Sequence, residues 1–114
     1  MTACLFCSIA AGEVSASFVH QDELVIAFRD INPQAPTHIL VVPREHIVSA
    51  AELSAVQDPV WARLLHVSQQ LAAAEGIVES GYRIVTNVGR DAGQSVSHLH
   101  LHLLGGRAMS WPPG

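Results

Sequence analysis

The sequence predicts an α+β domain with an antiparallel five-stranded sheet, one long helix and one shorter helix. Three observations carry this. Short apolar, β-branched runs follow one another without intervening helices, as antiparallel neighbours do. One later segment repeats apolar residues at helical spacing. The closing segment, Gln94 to Leu104, alternates histidine with leucine, which is the period of a strand.

Taken in order, Cys4-Leu5-Phe6-Cys7 opens the chain, and Ser8 to Gly12 is expected to form a short helix stopped by Gly12. Phe18 to His20 and Leu24 to Asp30 read as strands around the turn Gln21-Asp22-Glu23. Pro33 and Pro36 break regular structure before Thr37 to Val42, a β-branched strand ended by Pro43. Ala51 to Val56 is weakly helical. Asp58 as N-cap and Pro59 at the first helical position start a helix to about Ala74, with Gly76 beyond its end. Val60, Leu64, Val67 and Leu71 give that helix one apolar stripe; His66 lies off it and receives no role. Tyr82 to Val88 is a strand, Gly89 to Ser95 a glycine-containing loop, and the histidine segment the last strand, ended by Gly105-Gly106. Trp111 on the Pro112-Pro113 tail is a poor core residue and a better contact for a neighbouring surface or subunit.

Composition removes several functions. With 114 residues, 49% of them hydrophobic, the chain reads as one domain over 1–114 that can bury a core without disulfides. The longest clean apolar run, Ile39 to Val42, is too short to cross a membrane. Met1 to Cys4 lacks the features of a secretory signal, so a cytoplasmic protein with reduced cysteines is expected. A net charge of −4 argues against binding a nucleic-acid backbone. All six basic residues are arginines. Without lysine there is no Schiff base and no P-loop, so any phosphate must be held by histidine, arginine, hydroxyls and backbone N–H groups.

Two motifs carry chemistry. In a strand, Leu99, Leu101 and Leu103 face a core while His98, His100 and His102 share the other face. One metal cannot explain all three rings, because His98 and His102 would lie about 13 Å apart, whereas metal–nitrogen bonds are about 2 Å. A row of donors along an anion, phosphate foremost, explains them better. Cys4 and Cys7 form a C-x-x-C pair, open to three readings: a redox dithiol, two buried thiols, or half of a zinc site whose other ligands would have to be histidines. His38 and His46 flank the third strand, and each alone would be unremarkable.

The segment His98-Leu99-His100-Leu101-His102-Leu103-Leu104 fits the histidine triad signature. Together with Phe28 to His38, Gly93-Gln94-Ser95-Val96, Leu104 to Arg107 and Trp111 to Gly114, the chain resembles the Hint branch of the histidine triad (HIT) superfamily, the histidine triad nucleotide-binding proteins. The resemblance implies a homodimer with a sheet continued across its interface. It implies binding of purine nucleoside monophosphate conjugates of the AMP or GMP type, and hydrolysis of nucleoside phosphoramidates or acyl-nucleotides through a nucleotide held on histidine. His100 is then similar to the nucleophile, His98 to the residue whose carbonyl orients it, and His102 and His38 to phosphate hydrogen-bonders, with Ser95 near the leaving group. Asn87, Gly93 and Gln94 resemble the surroundings of the phosphate, and Asp30 the ribose ligand. Phe6, Ile9, Phe28 and Ile31 resemble the base pocket, and Trp111 a residue reaching the partner's site. The chemistry needs no cofactor. The cysteine pair resembles that of bacterial members and related uridylyltransferases, which implies a structural zinc held by Cys4, Cys7, His46 and His98. Ser97 and Ser110 depart from the Tyr and His of animal members. Competing expectations are a dinucleoside polyphosphate hydrolase, a nucleotide-binding regulator with little turnover, and a metal-dependent β-barrel using H-x-H as ligands; the long helix between the strands argues against the last.

Overall fold

In a computed structural model, residues 4–114 are described. Five strands form one antiparallel sheet: β1 (Phe18–Gln21), β2 (Val25–Arg29), β3 (Thr37–Pro43), β4 (Tyr82–Val85) and β5 (Leu101–Gly105), in the order β1-β2-β3-β5-β4. The helices are α1 (Leu5–Ala10) and α2 (Asp58–Ala74), with two single 3₁₀ turns, Ala50–Glu52 and Ala55–Gln57, before α2. The open sheet with its long helix is the expected α+β architecture, and it excludes the closed metal-binding barrel.

The sheet separates two apolar layers. On one face, Ile39, Val41, Leu101 and Leu103 meet the α2 stripe Val60, Leu64, Val67 and Leu71. Burying each leucine stabilises by about 1.5–3 kcal/mol, so packing more than helix propensity fixes α2. Gly76, at φ 71°, turns the chain out of the helix in the conformation that glycine adopts without strain. On the other face, Ile26, Phe28, Leu40 and Val42 meet Phe6 and Ile9 of the short α1. The histidines lie on this second face, where a six-residue helix covers only part of the sheet.

Several boundaries differ from the sequence reading. The first helix begins at Leu5, not Ser8, because the Cys4 side chain accepts from the Cys7 amide and caps it. Asp58 is itself helical and Gln57 is the cap. Strand β4 stops at Val85, not Val88, and β5 begins at Leu101 instead of spanning the whole histidine segment. The ladders explain this: β3 pairs as far as Val41 with Leu101, and β4 as far as Val85 with His102. Residues 98–100 lie beyond both, although their side chains still alternate. Leu99 packs into the α2 layer, and its N–H donates to the Ile47 carbonyl at 2.6 Å.

Candidate active site and metal centre

The β3–β5 register builds the centre of the site. Leu40 lies opposite His102 and His38 opposite Leu104, so His38 and His102 are diagonal neighbours on one face. His38 Nε2 is 2.9 Å from His102 Nδ1. The Gln34 backbone N–H donates to His38 Nδ1 at 3.0 Å. That contact fixes the protons. An amide N–H can only donate, so His38 Nδ1 is the acceptor and Nε2 carries the hydrogen. Nε2–H then donates to His102 Nδ1, and the His102 proton must sit on Nε2, a donor on a ring that lines the cavity. Asp30 Oδ2, 3.4 Å from His38 Nε2, adds its charge to the same arrangement.

His100 is fixed with the opposite tautomer. Its Nδ1–H donates to the His98 carbonyl at 2.7 Å, which leaves Nε2 with the free lone pair. Its own carbonyl, past the end of the β4 ladder, accepts from the Thr86 hydroxyl at 2.9 Å. The Phe6 ring stands edge-on to the imidazole, with centroids 5.1 Å apart. A nucleophilic nitrogen and an N–H donor therefore sit side by side, the two ring centroids 5.0 Å apart. Burial keeps both partners of the donor chain neutral. It pushes His102 down to about 4, assisted by the nearby His100 and His38, and it lowers His38 against the pull of Asp30.

Both rings open on a cavity of about 590 Å³ whose apolar lining includes Phe6, Ile9, Phe28, Leu40 and Val96. Asp30 and Ser95 lie on its wall, and Ile31 on its rim is fully exposed. Asn87, Gly93 and Gln94 do not line it. Gln94 is instead a loop lock: its side-chain amide donates to the carbonyls of Val48 (2.7 Å) and Val96 (3.0 Å) and accepts from the Gly89 N–H (3.0 Å). His38 also stays off the wall, with both ring nitrogens engaged behind His102. Trp111 is exposed outside the cavity.

The second cluster joins residues far apart in sequence. His98 is wholly buried, and its Nε2–H donates to the Pro43 carbonyl at 2.8 Å. Its Nδ1 lone pair therefore points at Cys4 Sγ (3.3 Å), Cys7 Sγ (3.6 Å) and His46 Nδ1 (3.2 Å). His46 Nδ1 is 3.2 Å from Cys7 Sγ. Tetrahedral zinc with bonds of about 2.0–2.3 Å sets ligand atoms about 3.3–3.8 Å apart, and these four separations of 3.2–3.6 Å lie close to that spacing. Burial and the neighbouring Cys4 both raise the Cys7 pKa; a divalent cation is what would hold such sulfurs as thiolates. Asp30, His38 and His102 also lie close enough to ligate an ion. There the tautomers argue the other way: the proton that the Gln34 amide forces onto His38 Nε2 occupies the position a cation would need. The Cys4, Cys7, His46 and His98 cluster could hold a metal, whereas the Asp30, His38 and His102 group favours a directed chain of hydrogen bonds.

Residues 11–109 match the model of the HIT domain family. The chain belongs to the HIT family. It is 46% identical over 105 residues to the purine nucleoside phosphoramidase of Escherichia coli (strain K12), which covers 92% of this chain and 88% of that protein. It is 46% identical over 112 residues to a 14 kDa zinc-binding protein of Zea mays, covering 96% and 87% of the two chains. The crystal structure of a HIT family hydrolase from Legionella pneumophila Philadelphia 1 superposes with a TM-score of 0.96 at 51% identity, covering 98% of this chain and all of that one. The HIT fold and family expected from the histidine segment are thus established. Among the described residues, no helix is long and apolar enough to cross a membrane.

Three contributors escaped the sequence reading: Thr86, the Gln34 amide and the Pro43 carbonyl. Backbone groups leave no mark in a sequence. A threonine in a strand carries no signal beyond its β propensity.

Proposed function

We propose that this HIT protein is a hydrolase of purine nucleoside phosphoramidates and acyl-nucleotides that works through a covalent nucleotidyl-histidine. The observation that carries the reading is the pair of contacts, His100 Nδ1 to the His98 carbonyl and the Gln34 N–H through His38 to His102 Nδ1, from which opposed tautomers follow on one cavity wall. In the first step the His100 Nε2 lone pair forms a bond to phosphorus while the P–N bond to the leaving amine breaks. The resulting imidazolium keeps its Nδ1–H on the His98 carbonyl. His102 Nε2–H stabilises the phosphoryl oxygens, with His38 acting through it, and the Ser95 hydroxyl can pass the proton that the departing amine requires. Water then attacks phosphorus and gives one proton to the Ser95 hydroxyl relay, restoring the proton passed to the amine; the P–Nε2 bond breaks with its electron pair returning to Nε2, and the nucleoside monophosphate leaves with His100 neutral again. The purine packs among Phe6, Ile9, Phe28 and Ile31, and Asp30 accepts from the ribose hydroxyls. Asn87, Gly93 and Gln94 act on the phosphate through the loop that carries Ser95. Intact-mass detection of a nucleotidylated protein with a slow acyl-nucleotide, absent in His100→Ala, tests the reading. An adduct that persists without His100 would overturn it, and an adduct that never turns over would favour the regulatory alternative.

The same wall disfavours dinucleoside polyphosphates. Arg29, the arginine on the cavity wall, is engaged by both oxygens of Glu75; Arg44, Arg63, Arg83 and Arg107 bond to Asp22, Ser110 and Gln34 away from that wall, and Arg90 is exposed beside Asp91 and does not line the cavity. A chain of phosphates finds no free guanidinium beside His100 and His102. Comparing hydrolysis of adenosine phosphoramidate with that of a diadenosine polyphosphate decides between them.

Cys4, Cys7, His46 and His98 would hold a structural zinc, closed to substrate, whose contribution is to fix the segment that carries the His98 carbonyl. We also read residues 1–114 as one HIT domain in a cytoplasmic homodimer, joined at the edge of the sheet, with Trp111 reaching the partner's site. Light scattering and activity of Trp111→Ala address this.

A further inference from the structure

The proton arrangement at His38 and His102 depends on the Gln34 backbone amide in the loop between β2 and β3; Asp30 at the start of that loop is tied to the sheet, its N–H donating to the His38 carbonyl at 3.0 Å, but the part carrying Gln34 lies outside the strand ladders. The segment after β5 holds it. Gly106, at φ 89°, lies so close to Pro36 that a Cβ at this position would come within 2.9 Å of the proline ring. The next residue, Arg107, donates from Nε to the Gln34 carbonyl at 2.9 Å and from Nη1 to its neighbour Ala108 at 3.0 Å. Gln34 adds a local tie from its side chain to the Asn32 carbonyl at 3.0 Å. One residue thus receives Arg107 on its carbonyl and presents its N–H to His38.

We propose that Arg107 is a positioning residue for the His102 donor, acting through the Gln34 backbone and His38. This rests on the phosphoryl-transfer reading of the site. With Gln34 held, His38 Nδ1 accepts and the chain of protons runs toward the cavity. With Gln34 free to move, His38 can carry its proton on Nδ1 and accept at Nε2. His102 then donates backwards from Nδ1, and its Nε2 turns a lone pair toward the phosphoryl oxygens. A donor becomes a repulsive group without any ring leaving its place. Asp30 Oδ2 cannot hold the arrangement alone, since 3.4 Å is long for a hydrogen bond. The side chain of Arg107 is exposed and touches neither the cavity wall nor the core, so its replacement leaves the packing intact.

The experiment compares Arg107→Met, which keeps the length and loses the donors, with Arg107→Lys, which keeps a donor. Long-range proton–nitrogen spectra of histidine-labelled protein report the tautomer of each ring directly. In the parent and in Arg107→Lys, His102 is expected as the Nε2–H form. In Arg107→Met the Nδ1–H form of His102 is expected to appear. Its kcat for adenosine phosphoramidate is expected to fall about tenfold with KM little changed, a fraction of the 10²–10³ that outright loss of such a donor costs. Unchanged tautomers in Arg107→Met overturn the proposal, and so does a drop in thermal midpoint and kcat with the tautomers intact. A parent protein that shows no turnover, with the tautomers shifting as described, sinks the functional reading and leaves the positioning role standing.

Discussion

The His98 carbonyl accepts from His100 Nδ1 at 2.7 Å, while the His98 ring points away into the Cys4, Cys7 and His46 cluster. One residue therefore serves two sites with two different groups: its backbone orients the proposed nucleophile, and its side chain belongs to the Cys4, Cys7 and His46 cluster proposed to hold zinc. The three histidines of the alternating segment are three different tools.

Replacing His100 is the sharpest test of this division. His100→Ala is expected to lower phosphoramidate turnover by at least on the order of 10³-fold, as loss of a nucleophile does. Zinc content and far-ultraviolet circular dichroism should stay at parent values. Turnover within tenfold of the parent would remove His100 from the mechanism.

The metal centre predicts one zinc per chain. Cys4→Ser with Cys7→Ser should abolish the stoichiometric zinc measured by mass spectrometry of the purified protein. It should also lower the thermal midpoint, because His98, buried and donating to Pro43, would keep a lone pair with no partner. A parent protein that carries no zinc after refolding with excess metal would refute the assignment.

Thr86 tests how the nucleophile's backbone is held. Thr86→Val keeps the shape and removes the hydroxyl that satisfies the His100 carbonyl. The unmet carbonyl should cost about 1–3 kcal/mol of stability and reduce kcat several-fold, with Thr86→Ser restoring both. Denaturant titration and steady-state kinetics on the three proteins measure the two effects together.

Acid should act through His102. Its pKa of about 4 in the fold lies below the 6.5 of a free histidine. The unfolded chain therefore binds the proton first as pH falls. Stability attributable to this ring is intact above pH 6.5 and is lost as pH falls from 6.5 toward 4. At about 1.4 kcal/mol per pKa unit the loss is on the order of a few kcal/mol. Urea titrations at pH 7 and pH 4.5 should show a smaller acid loss in His102→Asn than in the parent; equal losses would contradict the shift.

Much of the site was legible because side-chain periodicity survives where strand pairing does not. Leu99, Leu101 and Leu103 all enter the α2 layer as alternation required, although only Leu101 and Leu103 lie in a strand. What the alternation could not show is the division of labour among the rings. That is set by the partners His98 O, Gln34 N–H and Pro43 O, which are backbone groups brought in by register and loops. Gln94 shows another gap: its place in a motif gave no sign that its side-chain amide bonds to three backbone partners. Strand ends were missed where pairing partners run out, as at Val85, a fact about the neighbouring strand and not about the local sequence.

Cys4 and His98 stand 94 residues apart in the chain and 3.3 Å apart in the fold. At a synthesis rate of about 5–20 residues per second, the two thiols leave the ribosome roughly 5–20 seconds before the histidine that would complete the proposed zinc site. Over that interval Cys4 and Cys7 are a bare dithiol on a nascent chain. A cell short of zinc or under oxidative stress would meet them in that form, so the yield of folded protein, more than the rate of the finished enzyme, is where such conditions would register first.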